Sequence, residues 1–411
     1  MRVLIHGINY APEQIGIGKY TAEMAEWLAQ RGHEVRMVTA PPYYPAWKVS
    51  KGHSSWQYQR EHISGVDVWR CPLWVPAKPA AITRLMHLLS FTFSSFPMML
   101  RQVVWRPDIV ISIEPPLLCA PTAWITARLS GAKCWMHVQD FEIEAFFGLG
   151  FGSSVTLKRI LTDLETCIMR RFDRVSTISQ SMLNRLVSLH IPTKKAYLYP
   201  NWVDINLIRP NPEGRDMRTE WEFLPHHKII LYAGNIGKKQ GLELILDAAE
   251  ALSKTHPHAI FLLAGNGPVK EELIYAVKRR ALSNIIFKPL QPLADLPAML
   301  AMADIHLVIQ KRGAADAVMP SKLTGILAAG GYSIITADAD TELGRLVWNN
   351  PGIAELVEPE NKDAFIKSIA RMLDLTERFN RKARNFAVKH LAKDVILQDF
   401  ERQLREIIGS S

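Results

Sequence analysis

Residues 229–241, IILYAGNIGKKQG, decide the fold, and residues 260–268, IFLLAGNGP, repeat their pattern. Each is an apolar run of strand length that breaks at a Gly-Asn and continues into a helical pattern. An uninterrupted apolar run of that length suits a strand of a parallel sheet, covered on both faces. Glycine at the break lets backbone N–H groups crowd around an anion where a helix begins. Two adjacent turns of this kind predict a nucleotide-holding cleft in a doubly wound α/β domain.

Strand-like and helix-like runs alternate through the rest of the chain. Strands are expected at 2–6, 34–39, 66–71, 108–113, 132–138, 174–178 and 196–199, then at 228–233, 258–264, 284–288, 304–310, 332–336 and 354–358. Helical patterns fill most of the intervals, and residues 40–64 read as a long turn-rich loop. A chain of 411 residues exceeds one ordinary α/β core. The fold class is therefore α/β, with two doubly wound Rossmann-like domains facing across a cleft. The expected division is 1–205 for a first domain and 206–390 for a second, nucleotide-holding one. A C-terminal helix, 391–411, is expected to pack back on the first. The proline-rich segment 200–227 reads as the connector.

Charge is uneven: residues 1–205 carry 22 Lys+Arg against 15 Asp+Glu, while the whole chain is +9. Such a balance suits anionic lipid or a phosphate-bearing substrate. No dense basic tract or nucleic-acid module is present, so nucleic acid is not an expected partner. The opening MRVLIHGINY reads as a first strand rather than a secretory signal. Cys71, Cys119, Cys134 and Cys167 are too scattered for a metal or disulfide framework and read as buried cytosolic thiols. From Leu85 to Leu100 only His87 could carry charge, and Arg84, Arg101 and Arg106 flank the run. Interrupted by Pro97, it is too short to span a bilayer but fits an interfacial helix.

Three further features bear on chemistry. Gly16 and Gly18 lie in the turn PEQIGIGK, which follows the first strand and opens a helix but lacks the three-glycine dinucleotide fingerprint. Lys238 and Lys239, just after Gly234 and Asn235, are placed to neutralise a diphosphate leaving group. Pro320-Ser321 is expected to cap a helix with Lys322 in its first turn, where a cation opposes the helix dipole unless an anion is bound. Gly265, in the second Gly-Asn turn, joins the donor set. His137 ends a strand with Asp140 close behind. Asp140, Glu142 and Glu144 form an acidic group that could orient an acceptor, with Asp140 and Glu144 as its leading candidates.

In this order, PEQIGIGKYTAEMAEWLAQRGHEVRMVT, STISQSMLNRL, YPNWVD, YAGNIGKKQGLELILDAA, LLAGNGP, PSKLTGILAAGG and PGIAELVEP resemble the retaining family-four glycosyltransferases of the GT-B fold. The wording GNIGKKQG and PSK is similar to bacterial exopolysaccharide transferases, notably the colanic-acid assembly enzymes. The resemblance implies a nucleotide-diphosphate sugar donor, with GDP-fucose leading and UDP-sugars open. It implies a lipid-linked oligosaccharide acceptor at the inner-leaflet membrane surface, a cytoplasmic peripheral location, and no cofactor or metal. His137 would match the family's N-domain histidine, and with Lys239 and Lys322 it makes up the expected catalytic set. Gly16, Gly18, Gly234, Asn235, Lys238, Gly265 and Ser321 make up the expected donor site. The chain departs from the family at Asn235, where most members carry arginine, and at Ala317 and Gly325, where they carry glutamates; Asp316 adjoins the first. Two alternatives remain: a nucleotide-sugar epimerase of the same fold, and a membrane-bound scaffold with reduced turnover.

Overall fold

A computed structural model of the protein describes residues 1–13, 16–78, 80–148, 154–210, 215–313, 320–375 and 377–409. Gln14, Ile15, Asp316 and Ala317, which figure in the sequence reading, lie outside the described residues. The chain divides into two compact units, Met1–Pro200 with Leu397–Ser411, and Asn201–Ile396.

The first unit is built on β1 (Arg2–His6), β2 (Glu34–Thr39), β3 (Gln59–Ile63), β4 (Val66–Arg70), β5 (Ile109–Glu114), β6 (Lys133–Val138), β7 (Arg174–Thr177) and β8 (Ala196–Leu198). They form one sheet in the order β3-β4-β2-β1-β5-β6-β7-β8, parallel except where β3 runs antiparallel to β4. Every residue of β5 is buried, as expected of a central parallel strand. β3, QREHI, lies within the segment expected to be loop; it is an edge strand whose polar residues blunt the exposed ladder. The helices are α1 (Gly16–Gln30), α2 (Ala81–Gln102), α3 (Ala120–Ser130), α4 (Glu142–Gly148), α5 (Val155–Arg170) and α6 (Gln180–Ser188). Cys71, Cys119 and Cys134 are buried as expected, whereas Cys167 is exposed on α5.

The second unit has a six-stranded parallel sheet of β9 (Lys228–Ala233), β10 (Ala259–Ala264), β11 (Ile285–Lys288), β12 (Ile305–Val308), β13 (Tyr332–Thr336) and β14 (Glu355–Val357). Its order is β11-β10-β9-β12-β13-β14. The order reverses between β9 and β12, the switch point at which open α/β sheets bind ligands beyond their C-terminal strand ends. Helices α7 (Met217–Glu220), α8 (Glu243–Leu252), α9 (Lys270–Arg279), α10 (Leu296–Met302), α11 (Ser321–Ala328), α12 (Glu342–Asn349), α13 (Lys362–Leu373) and α14 (Arg381–His390) cover it. The segment expected as connector packs within this unit: Val203 bridges Ala392, and Trp202, Val203, Ile208 and Met217 are buried.

The last helix, α15 (Lys393–Gly409), gives its residues from Leu397 onward to the first unit. There Phe400 stacks on Tyr199 at 4.2 Å and meets Trp135 edge-on at 5.0 Å. Glu401 accepts from Arg31 at 2.7 Å and pairs with His33 at 2.9 Å. These contacts seat the final helix on the first unit with apolar partners from β6 and the end of β8 and ionic partners from the α1–β2 turn.

Candidate active site

In the second unit β9 and β10 lie side by side in parallel register, so their C-terminal turns emerge together. The Gly234 amide donates to Ala264 O and the Ile236 amide to Asn266 O, each at 2.9 Å. A Cβ on Gly265 would lie 1.9 Å from Gly234 O, and one on Gly267 2.2 Å from Ile236 O. Gly265, expected to contact the donor, has the place of its missing Cβ filled by the neighbouring turn. Gly234 has φ +143, a conformation that other residues rarely adopt. Beyond it Asn235, Lys238 and Lys239 are exposed, the lysines on a short 3-10 turn, Lys238–Gln240.

Lys322 is the most informative of the expected site residues. It sits in the first turn of α11, whose N-cap is Pro320 without a side-chain cap bond. Ser321, expected to cap, is instead the exposed first residue of the helix. The Lys322 ammonium lies 4.3 Å from the ring centre of Tyr232, and about one van der Waals contact from the place a Gly234 Cβ would occupy, at 3.9 Å. Tyr232 is held by its own hydroxyl, which donates to Asn235 O at 2.6 Å. No carboxylate among the described residues lies within ion-pair distance of Lys322, and burial pushes its pKa down to about 8. A cation with no carboxylate partner among the described residues, at a helix N-terminus beside a glycine turn at the switch point, has the chemistry that suits an anion. Gly325 follows one turn later, and a Cβ there would already press on Leu300 at 3.3 Å.

In the first unit the turn after β1 is closed by Glu13, which the sequence reading passed over. Its carboxylate accepts from Asn9 at 2.9 Å, from the Tyr43 amide at 3.0 Å and from the Tyr44 amide at 2.9 Å. A Cβ on Gly18 would lie 2.8 Å from the same carboxylate, so that glycine makes room for this latch. Gly16 opens α1 with φ +61 and open space around it.

His137 is fully enclosed. One ring nitrogen bonds Ser176 Oγ at 2.9 Å, and Gln139 Nε2 sits 3.0 Å from the other. Trp135 Nε1 donates to the same Ser176 hydroxyl at 2.7 Å, and the imidazole packs on Tyr199 at 4.8 Å. Burial lowers its pKa to about 3, so it is neutral. Both nitrogens face protein groups, the second of them Gln139, the first residue past the end of β6.

Asp140 and Glu144 are exposed just past that edge, and Glu144 reaches Arg185 at 3.7 Å. Behind them lie carboxylates that the sequence reading did not single out. Glu114 ends β5, is fully buried, and neither of its oxygens has a hydrogen-bond partner among the described residues. Burial and the neighbouring Glu165 and Glu142 raise its pKa well above the carboxylate range. Glu165 on α5 is buried too, and burial raises its pKa to about 7. Glu142, the third member of the expected acidic group, is turned inward and accepts from the Leu117 amide at 2.7 Å. The signal available in the sequence was an acid closing an otherwise uncharged buried strand, IVISIE.

Two Rossmann-like units with parallel sheets, one with paired glycine turns at its switch point, are the architecture of the GT-B class. Residues 16–202 match the profile described as "Glycosyl transferase 4-like domain", and residues 215–388 match "Glycosyl transferases group 1". The "Putative colanic acid biosynthesis glycosyl transferase WcaI" of Escherichia coli K12 is 45% identical, with 98% of this chain and 100% of that protein covered. The chain belongs to the family-four glycosyltransferases and is a glycosyl-transferring enzyme. Among solved structures, sucrose-phosphate synthase from Thermosynechococcus elongatus aligns with a TM-score of 0.74 at 16% identity, covering 100% of both chains. Anabaena HepE in complex with UDP aligns with a TM-score of 0.70 at 14% identity, covering 99% of this chain and 100% of that one. Both likenesses establish the GT-B fold.

Proposed function

We propose that the protein transfers a sugar from a nucleoside diphosphate donor, held in the second unit, to a hydroxyl of a lipid-linked oligosaccharide bound by the first. The product would serve colanic-acid or related exopolysaccharide assembly. The observation that carries the reading is Lys322, an ammonium with no carboxylate partner among the described residues, at the mouth of the Gly234 turn. The relative's printed name supports the polymer, and GDP-fucose is the leading donor on that ground; UDP-sugars stay in the comparison because HepE was solved with UDP.

In the proposed reaction the bond between the anomeric carbon and the diphosphate oxygen breaks as the acceptor oxygen bonds the same face of that carbon. The acceptor proton passes to the departing diphosphate, which needs no protein nucleophile and retains configuration. Lys322 and the α11 amides stabilise the charge that gathers on the diphosphate, assisted by Lys238 and Lys239. Asp140 and Glu144, exposed at the first unit's sheet edge, orient the acceptor. His137 acts from behind Gln139 as a positioning residue.

The acceptor is assigned to the inner leaflet because α2 carries an exposed apolar stripe. Ile82, Leu85, Met86, Phe93 and Phe96 recur at helical spacing and are each at least 40% exposed. No helix among the described residues is long and apolar enough to cross a membrane. An amphipathic face with basic flanks binds a surface reversibly.

Thermal melting against GDP, UDP and ADP, followed by donor consumption with a polyprenyl-diphosphate sugar, tests the proposal. A ligand at 100 times its dissociation constant adds about 2.7 kcal/mol, a shift of several degrees. Stabilisation by a nucleoside diphosphate and acceptor-dependent donor loss are expected. No shift and no turnover would favour the scaffold reading.

A further inference from the structure

The sheet of the first unit also reverses its order, between β1 and β5, and so has a switch point of its own beyond the C-terminal ends of those strands. The turn that leaves β1 forms one wall of that crevice, and two enclosed charged side chains hold it. Arg70 ends β4 and is wholly buried. It donates to Ala11 O in the turn and, at 3.0 Å, to Ala40 O just past β2. Its third partner is Glu61 on β3, at 3.3 Å. Glu13, buried as well, completes the clasp through the Tyr43 and Tyr44 amides. The chain leaving β2 is thereby joined to the turn leaving β1.

Enclosing a guanidinium and a carboxylate carries a desolvation cost that an apolar contact would avoid. What the charged pairings add is a single register for the residues beside them. Tyr43 faces inward, its ring centre 4.7 Å from that of His87 and 5.7 Å from that of Trp47. Tyr44, held by the same carboxylate, keeps 42% of its surface exposed. Across the crevice, Asp140 follows the end of β6, and the exposed Glu144 stands on α4. Neighbouring strands lie about 4.8 Å apart, so β1 and β6, with β5 between them, end about 10 Å apart. An aromatic ring on one side of that width and carboxylates on the other match one pyranose ring. The sugar's C–H face packs on the aromatic, and its hydroxyls donate to the carboxylates.

We propose that Tyr44 is an acceptor-binding residue that stacks on the sugar receiving the transfer, and that Glu13 is a positioning residue acting through it. The proposal rests on the transferase reading above. It adds a specificity element: the acceptor must offer the ring an unhindered pyranose face.

The test uses the full chain and a polyprenyl-diphosphate sugar in detergent, with acceptor binding measured by calorimetry and transfer measured from GDP-fucose and from UDP-glucose. Tyr44→Ala should weaken acceptor binding and raise the acceptor KM about tenfold, while the melting shift given by the nucleoside diphosphate stays as in the wild type. Tyr44→Phe should restore both, because the ring face and not the hydroxyl is used. Glu13→Ala should raise the acceptor KM as Tyr44→Ala does, and the double variant should be no worse than either alone. Glu13→Gln, which keeps an oxygen for the amides, should recover most of the loss. Trp56→Ala is the control: it is 77% exposed in the same loop, with its amide on Ser54 and not on the clasp, and should leave the acceptor KM unchanged. Turnover with an unchanged acceptor KM in Tyr44→Ala would overturn the proposal and leave the transferase reading standing. A rise in donor KM instead would overturn it too, by assigning the turn to the donor. Acceptor binding that depends on Tyr44, without turnover from either donor, would uphold the site and count against the transferase reading. A wild type that neither binds nor uses the acceptor would overturn both.

Discussion

The Lys322 ammonium lies 4.3 Å over the ring of Tyr232, and the phenol is itself anchored to the backbone of the glycine turn through Asn235. The cation is thereby held at the turn by an aromatic face instead of by a carboxylate. A carboxylate would neutralise it, whereas the ring leaves its charge available to a ligand.

A pH dependence follows. Burial places the free-state pKa near 8, and a bound diphosphate raises it again by favouring the charged form. Affinity should be greatest below pH 8 and fall as pH rises through that value, because binding must then pay for protonation. Calorimetric titration of the nucleoside diphosphate should show about a tenfold or greater loss between pH 7 and pH 9.5. Lys322→Ala should bind weakly at both pH values, with the dependence gone. A flat wild-type profile would mean that Lys322 does not meet the phosphates.

Gly265→Ala should unfold the second unit's strand-end turns rather than trim donor contact. The added carbon would sit 1.9 Å from Gly234 O, a backbone atom that cannot rotate aside. We expect a cost of about 3 kcal/mol or more and a markedly lower melting point. Asn235→Ala, at an exposed neighbour, should leave the melting point within about 1 °C and alter donor binding only.

The two buried acids of the first unit should make stability depend on pH in an uncommon direction. The Glu165 folded-state pKa of about 7 lies above its unfolded value, so the carboxyl favours the fold below about pH 4.5 and loses that contribution as pH climbs through 7. Glu165→Gln should therefore raise stability at pH 8, by about 1–3 kcal/mol, and change it little at pH 4. Glu114→Gln should act in the same sense, since its two oxygens lack partners. Chemical denaturation at the two pH values decides this.

His137→Ala removes a ring that joins Ser176, Gln139 and Tyr199. We expect a loss of about 2–3 kcal/mol in stability together with a fall in kcat, while the donor dissociation constant is unchanged. Gln139→Ala should lower kcat as well, and the double variant should be no worse than either alone. Additive losses would separate the two side chains, and a weakened donor affinity would remove His137 from the positioning role.

The central strands were legible because their sequences are apolar without alternation, as in VLI of β1 and IILY of β9. The edge strand β3 was not: QREHI looks like loop because an edge has one protected side at most and is kept polar against unwanted pairing. Lys322 could be found because a lysine in a first helical turn contradicts the dipole. Glu114 and Glu165 were hidden, since each looks ordinary alone and only the packing of β5 against the α4–α5 region makes them conspicuous. Gly265 was recognised but for another purpose, because sequence cannot say whether an absent Cβ makes room for a ligand or for a neighbouring turn.

That last distinction bears on how the family can diversify. Gly265 and Gly267 are fixed by backbone-to-backbone contact, so neither is free to be recruited for a new donor. Asn235, Lys238 and Lys239 stand on the outer rim of the same turns, with their side chains in solvent. Exchanging them costs the scaffold almost nothing. A lineage can therefore try out different sugar nucleotides on the rim, at Asn235, Lys238 and Lys239, while the frame beneath stays constant.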